Sequence, residues 1–151
     1  MEKTLKKYLK NGIFNDVSSE RSKSMAAVKG KHNRSTELVL RMALIRSGIK
    51  GWKMHYDLPG KPDFYFPKYK LAIFVDGCFW HGCPKCGHIP KTRTRFWKEK
   101  IERNIRRDKK NKNVLKKRGI HLIRLWEHEL KKNLLHKSIL KIEKALKRNT
   151  N

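Results

Sequence analysis

The spacing of hydrophobic residues changes several times along the chain, and each change marks a predicted element. A first helix is predicted from a cap at Asn33 or Ser35 to about Ser47, because apolar residues recur at helical intervals and Gly48 is a typical stop. Its expected inner stripe consists of Leu38, Met42 and Ile45.

The patterns that follow are typical of strands. Alternation predicts a strand over residues 52–56, then a turn over 58–62 and a second strand over 63–66. Residues 71–75 form a continuous apolar run, which is expected of a central strand buried on both faces. Residues 120–126 predict a further apolar strand.

Two later helices complete the pattern. The first is predicted over residues 96–118, stopped by Gly119, with a thin apolar stripe of Trp97, Ile101 and Ile105. The second is amphipathic and is marked by Leu135, Ile139, Ile142 and Leu146. The order helix, three strands, helix, strand, helix predicts an α/β fold, with a mixed β-sheet flanked by helices.

The weakest pattern lies at the N-terminus. Residues 1–20 are interpreted as a mobile arm, and residues 22–30 as a short helix. A chain of 151 residues is expected to form one domain, which we place at residues 21–151.

Charge points to the class of partner. Lys and Arg number 39 against 13 Asp and Glu, a net charge of +26, which favours nucleic acid; a solvated basic face or a disordered basic tail is the alternative. Residues 98–118 alone hold 11 basic against 3 acidic side chains. Neither a membrane span nor a secretory signal is recognisable, so no membrane partner and a cytoplasmic, nucleoid-associated location are expected.

All three cysteines fall in one short segment, spaced C-x4-C-x2-C at Cys78, Cys83 and Cys86. In a cytosolic protein this clustering favours a structural Zn²⁺ over a disulfide. The fourth ligand is either the nearby His88 or His128, and the latter would close a long loop. The alternative is three reduced cysteines without a metal.

Carboxylates at the ends of predicted elements are the catalytic candidates. Asp63 begins a strand, Asp76 ends one, and Glu37 lies at a helix start. Brought together they would suit Mg²⁺, which prefers oxygen ligands and assists phosphodiester hydrolysis. A lone aspartate beside a proline turn, such as Asp63, is most often just a turn residue.

His81 lies between the cysteines and is a candidate general base, because an imidazole titrates near neutral pH. Asp108 is placed to orient it; the alternatives are that His81 binds zinc and that Asp108 pairs locally. The adjacent Phe79 and Trp80, with Trp97, suit either stacking on bases or packing in the core.

These residues together resemble the very-short-patch repair (Vsr) DNA mismatch endonuclease family. The most specific match is the run Gly77-Cys78-Phe79-Trp80-His81 after a buried strand. The matching segments occur in the family's order and cover about residues 21–130: they are 21–25, 36–37, 58–64, 74–81, 91–97, 100–104 and 126–130.

The resemblance implies a restriction-endonuclease-like fold with a structural zinc. It also implies Mg²⁺-dependent nicking of DNA 5′ to the thymine of a T·G mismatch left by deamination of 5-methylcytosine. Asp63 and the carbonyl of Val75 would bind the Mg²⁺, and His81 would be the general base. Glu37 and Asp108 would be acidic residues of the active site.

The resemblance also assigns residues to the DNA. Phe79, Trp80 and Trp97 match aromatics that intercalate beside the mismatch from the major groove, and Met25 matches a wedge from the minor groove. The expected partner is double-stranded DNA with a T·G mismatch, bound by a monomer, with mismatch-repair proteins as further partners.

The chain departs from the PD…(D/E)xK pattern of the wider nuclease superfamily. Pro62-Asp63 is followed by Asp76-Gly77-Cys78 without a lysine, which fits a branch where histidine replaces it. Asp76 stands where some members have histidine, and it is counted among the catalytic candidates. A restriction or defence nuclease with another target, and a non-catalytic zinc-stabilised DNA-binding module, are the alternative hypotheses.

Overall fold

The computed structural model describes residues 36–149, which are built around a four-stranded mixed sheet. Its strands lie side by side in sequence order; the first three pair antiparallel, and the third and fourth pair parallel. The strands are β1 (Lys53–Met54), β2 (Phe64–Phe66), β3 (Leu71–Asp76) and β4 (His121–Trp126).

Within residues 36–149, three α-helices flank this sheet. They are α1 (Glu37–Arg46), α2 (Thr94–Lys117) and α3 (Leu135–Arg148). Helix α2 provides the crossover between the parallel strands β3 and β4, as parallel pairing requires. The predicted mixed sheet flanked by helices is therefore confirmed.

Strand β3 is central and contributes to the core on both faces, as its continuous apolar run predicts. Leu71 and Ile73 pack on the side of α1 and α3, where the largest buried cluster lies. Ala72 and Phe74 pack on the opposite side against Leu115 of α2. Such two-sided burial fixes the end of β3, and with it the start of the cysteine loop.

The predicted inner stripe of α1 is wrong. Leu38, Met42 and Ile45 are 43%, 40% and 51% exposed, whereas the buried apolar residues are Leu40, Ala43 and Leu44. The helix carries apolar residues on more than one side, so its periodicity allows two stripes, and packing on the sheet selects the other one. The same choice buries Glu37, which is 4% exposed.

Two other expectations are corrected. Ile105 is 43% exposed, although Trp97 and Ile101 of the same predicted stripe are buried. Strand β1 spans two residues rather than five, since His55 adopts a left-handed backbone with φ of 48° and ends the extended conformation. The amphipathic pattern of α3 is confirmed, with Ile139 and Ile142 buried.

Several predictions lie outside the described residues: the arm over 1–20, the helix over 22–30, Met25, and the caps Asn33 and Ser35. Of the described helices, none is long and apolar enough to cross a membrane.

Candidate active site and metal centre

Four potential metal ligands converge beyond the ends of β3 and β4. The ligand atoms of Cys78, Cys83, Cys86 and His128 all lie within 4.8 Å of one another. His128 Nδ1 is 3.3, 3.6 and 3.4 Å from the three sulfur atoms in sequence order. Tetrahedral zinc bonds of 2.0–2.3 Å separate ligand atoms by about 3.5 Å, so this Cys3His cluster suggests a structural zinc site.

The parallel register of β3 and β4 explains why His128 reaches the cysteines. Asp76 pairs with Trp126, so Cys78 and His128 each lie two residues beyond the paired strand ends. The backbone N–H of Cys78 also donates to Glu127 Oε2 at 3.4 Å. His88, the local alternative, instead lies beside the ring of Phe79, with 5.6 Å between ring centres.

The backbone of the cysteine loop, residues 77–88, folds closely around Cys83 and affects the ionisation of its thiol. A Cβ at Gly87 would lie 2.4 Å from the Cys83 carbonyl oxygen, so this close approach requires glycine. Burial opposes ionisation of the Cys83 thiol, but backbone N–H groups of Cys86 and Lys85 bond to its sulfur and lower its pKa. Burial raises the pKa of Cys78 to about 12. A metal would therefore displace a proton from Cys78, as thiolate ligation demands.

His81 does not belong to the Cys3His cluster, and its ring contacts a carboxylate of α2. Its Nδ1 lies 2.6 Å from Asp108 Oδ2 and 3.6 Å from Asp76 Oδ1. Although burial opposes ionisation of Asp108, the hydrogen bond and charge of His81, with the charge of Arg124, lower the Asp108 pKa. An ionised Asp108 accepts from Nδ1–H, which leaves Nε2 as the ring atom that can take a proton.

Asp76 pairs with an arginine that the sequence analysis did not single out. Arg124 Nε lies 2.5 Å from Asp76 Oδ2, and Arg124 Nη1 lies 3.4 Å from Asp108 Oδ2. Burial raises the pKa of Asp76, and the charges of His81 and Arg124 partly offset that effect. The guanidinium therefore balances the two carboxylates that face one imidazole.

Asp63 is held at the start of β2 by the end of β3. The backbone N–H of Val75 donates to Asp63 Oδ2 at 2.6 Å. Burial nevertheless raises the pKa of Asp63 to about 7; the Val75 bond opposes this shift, and the charges of Glu37 and Asp76 add to it. A buried carboxylate among other carboxylates is a position that a divalent cation would stabilise.

A histidine that was not predicted as a site residue joins this carboxylate. His55 Nε2 lies 3.1 Å from Glu37 Oε2, and the ligand atoms of Glu37, His55 and Asp63 all lie within 4.8 Å of one another. The three residues come from the start of α1, the end of β1 and the start of β2. They form the second potential metal cluster among the described residues.

Most of the predicted catalytic residues line one open cleft of about 570 Å³. Glu37 is not among its lining residues. Basic and amide side chains that were not predicted complete its rim, which suits a polyanionic chain. The predicted residues lining the cleft are Asp63, Val75, Asp76, His81 and Asp108, and the additional ones include Lys61, Arg107, Asn111, Lys112 and Arg124.

The loop aromatics form a cluster with the start of α2. Half-buried Phe79 and Trp80 pack against buried Phe96 and Trp97, with 5.3 Å between the ring centres of Phe79 and Trp97. Lys100 Nζ lies 5.0 Å from the centre of the Trp80 ring, and burial lowers the Lys100 pKa. The cluster thus contains two buried rings on α2 and a half-buried pair of rings on the loop after β3.

Two residues missed by the sequence analysis have weak sequence signals. His55 lies in an alternating segment, where a polar residue is usually a solvent-facing strand position. Arg124 is one of 39 basic residues, and nothing in its neighbourhood distinguishes it from a DNA-facing side chain. In both cases the partner is a carboxylate distant in sequence.

Comparison with known proteins places this geometry in context. The family model "DNA mismatch endonuclease Vsr" matches residues 15–86. The type II nicking enzyme V.NmeAIP of Neisseria meningitidis serogroup A is 43% identical over 117 residues, which span 76% of this chain and 82% of that enzyme.

Other relatives extend the same picture. The type II nicking enzyme V.NaeI of Lentzea aerocolonigenes is 36% identical over 118 residues, covering 75% of this chain and 70% of that enzyme. The DNA mismatch endonuclease Vsr of Escherichia coli K12 is 37% identical over 115 residues, covering 74% and 71%.

Proposed function

The chain belongs to the Vsr DNA mismatch endonuclease family and is a DNA nicking endonuclease, and from that premise we propose that it nicks one strand 5′ to the thymine of a T·G mismatch. The mismatch would arise from deamination of 5-methylcytosine. The observation that carries the proposal is the meeting of Asp63, His81 and Asp108 in one cleft, with Phe79 and Trp80 on the same loop as His81.

Hydrolysis would begin with a water molecule beside the scissile phosphate. His81 Nε2 takes its proton, while Asp108 holds Nδ1–H at 2.6 Å and stabilises the imidazolium that forms. The pair of Asp76 and Arg124 keeps the ring in place by balancing charge around it. Lys61 and Arg107 on the rim of the cleft would bind the phosphate backbone.

Asp63, with the carbonyl of Val75 and Glu37 nearby, would hold the Mg²⁺. The raised pKa of the buried Asp63 carboxylate fits such a role, because a cation would relieve its repulsion from Glu37 and Asp76. When bound there, Mg²⁺ polarises the phosphate and stabilises the leaving oxygen.

Mismatch recognition would use the exposed part of the aromatic cluster. Side chains that unstack a base step need a rigid support, and Phe96 and Trp97 supply it beneath Phe79 and Trp80. Asn104 Nδ2 also donates to the Trp80 carbonyl at 2.9 Å, which fixes the loop on α2. Recognition and proton transfer would then share one loop, held by the Cys3His site.

A second candidate is a nicking enzyme with a different DNA target. It is favoured by the names of several relatives, which are type II nicking enzymes. The two candidates share the same chemistry and differ in whether a mispair is required.

A nicking assay with two duplex pools separates them. One pool carries a central T·G pair and the other a central C·G pair, both with randomised flanking bases and a label on each strand. With Mg²⁺ we expect nicks only in the T·G pool, on the thymine strand and 5′ to the thymine, and none with EDTA. Equal nicking of both pools would favour the second candidate, and no nicking of either pool would contradict the proposal.

A further inference from the structure

We propose that His55 is a ligand of the catalytic divalent cation, so that this cation is held by one imidazole and two carboxylates and Mn²⁺ is preferred to Mg²⁺. The inference rests on the proposed function only in placing the cation at Asp63. No role described above uses His55, yet its ring nitrogen lies in one cluster with the carboxylates of Glu37 and Asp63.

The distances fit one ion. Neighbouring ligands of an octahedral cation at about 2.1 Å are about 3.0 Å apart. His55 Nε2 and Glu37 Oε2 are separated by 3.1 Å. The widest separation among the three ligand atoms is within 4.8 Å, so a small inward movement of side chains would complete the site.

The backbone of His55 ties this residue to Asp63. Its φ of 48°, one of four positive values among the described residues other than glycine, turns the chain at the end of β1. The N–H of His55 donates to the carbonyl of Asp63 at 3.3 Å, so the turn that ends β1 is tied directly to the metal-binding aspartate. The conformation therefore places an imidazole and a carboxylate side by side.

The type of ligand sets the preference among cations. Carboxylates suit Mg²⁺ and Mn²⁺ alike, whereas imidazole nitrogen is a ligand of transition metals and adds little for Mg²⁺. An imidazole at this centre should therefore increase affinity for Mn²⁺ selectively. If His55 only forms a hydrogen bond with Glu37, removing the imidazole would change the affinities for Mn²⁺ and Mg²⁺ by the same factor.

The test measures Mn²⁺ and Mg²⁺ binding to the full zinc-loaded chain by calorimetry, for wild type and His55→Ala. We expect Mn²⁺ affinity to fall at least about tenfold and Mg²⁺ affinity by no more than about threefold. His136→Ala, an exposed histidine on α3, is the matched control and should change neither. Equal losses for the two cations, or no loss, would overturn the inference.

A second variant and a spectroscopic readout cover a failure of His55→Ala to fold. His55→Asp keeps a ligand but replaces nitrogen with oxygen, so it should retain Mg²⁺ binding and lose the Mn²⁺ preference. Electron spin-echo modulation of bound Mn²⁺ should show ¹⁴N coupling in wild type and none in His55→Asp. Wild-type Mn²⁺ without ¹⁴N coupling would refute ligation by His55.

The same preparations separate this inference from the proposed function. A wild type that nicks the T·G pool but shows no ¹⁴N coupling overturns the role of His55 and leaves the function standing. A wild type that shows ¹⁴N coupling but nicks neither pool supports the metal site and contradicts the function. Asp63→Asn should abolish binding of both cations; retained binding would overturn the site.

Discussion

The position of one proton on His81 depends on which of two carboxylates its ring faces. Asp108 is 2.6 Å from Nδ1 and Asp76 is 3.6 Å away, so the closer residue fixes the tautomer. Arg124 Nε lies 2.5 Å from Asp76 Oδ2 and its Nη1 lies 3.4 Å from Asp108 Oδ2, so one guanidinium pairs with both carboxylates. Because Nδ1 faces these carboxylates, Nε2 is the ring nitrogen left to take a proton.

Asp108→Asn tests the role of the closer carboxylate. An asparagine retains the shape but does not stabilise the imidazolium, so we expect the single-turnover nicking rate to fall about 10²-fold. Binding of DNA should be nearly unchanged. Asp57→Asn, an exposed aspartate before the turn, is the control, and a wild-type rate in Asp108→Asn would exclude an orienting role.

The buried carboxylate of Asp63 lowers the stability of the folded chain when it is ionised. Burial raises its pKa from 3.8 to about 7, so the folded chain binds the proton more tightly than the unfolded chain. The stabilising effect of protonated Asp63 is therefore fully present below pH 3.8 and is lost as the pH rises through about 7. A catalytic cation would reverse this loss by pairing with the ionised carboxylate.

Asp63→Asn should accordingly stabilise the chain when zinc is retained and no catalytic cation is added. Its melting temperature should exceed that of wild type by a margin that grows from pH 4 to pH 7 and then levels off. Thermal unfolding across this range measures the margin, with Asp57→Asn as the exposed control. A margin independent of pH would show that Asp63 ionises freely.

Residue types made candidates of Asp63, His81 and Asp108, whose catalytic roles stay predictions. They were recognisable because acids are few in a basic chain and because His81 lies between two of the cysteines. His55 and Arg124 were not, since each acquires its role from a carboxylate far away in sequence. The pairing distances that define them depend on strand register, which the sequence alone leaves open.

At the scale of elements, the parallel pairing of β3 and β4 brings the Cys3His cluster together. It aligns the two chain segments beyond Asp76 and Trp126, so that Cys78 meets His128 across 50 residues of sequence. A ligand so distant restrains the unfolded chain more than a local one would. A zinc ion held by this cluster would therefore couple the loop after β3 to the end of the sheet.

His128→Ala should lower zinc content well below the expected value of about one per chain and reduce the melting temperature. His88→Ala is a matched control, because this histidine lies on the same loop and outside the cluster. Metal analysis of the purified chains gives the answer. Full zinc in His128→Ala with loss in His88→Ala would reverse the assignment.

The sequence predicted an element correctly where its apolar pattern is compatible with only one buried position. The run Leu71–Asp76 has apolar side chains on both faces, so only a central strand accommodates it. Helix α1 offered two apolar stripes, and contact with the sheet selected Leu40 and Leu44 rather than Leu38 and Met42. Periodicity within a helix cannot decide between stripes when the neighbouring layer is unknown.

At the scale of the whole molecule, the distribution of charge would direct DNA to one cleft. The net charge of +26 includes the dense basic stretch of α2, which borders the cleft through Arg107 and Lys112. The three cysteines, Phe79, Trp80 and His81 all belong to the loop after β3, and α2 contacts this loop through Asp108, Asn104 and Trp97. Under the proposed function, backbone binding, recognition and hydrolysis would therefore converge on one loop and one helix.

The most direct test of this account is the single-turnover nicking rate of His81→Ala on a T·G duplex with Mg²⁺. Loss of the general base should lower the rate at least about 10²-fold, while DNA affinity stays within about twofold of wild type. His121→Ala, an exposed histidine at the start of β4, should nick at the wild-type rate. A His81→Ala chain that binds and nicks the duplex as wild type does would contradict the account.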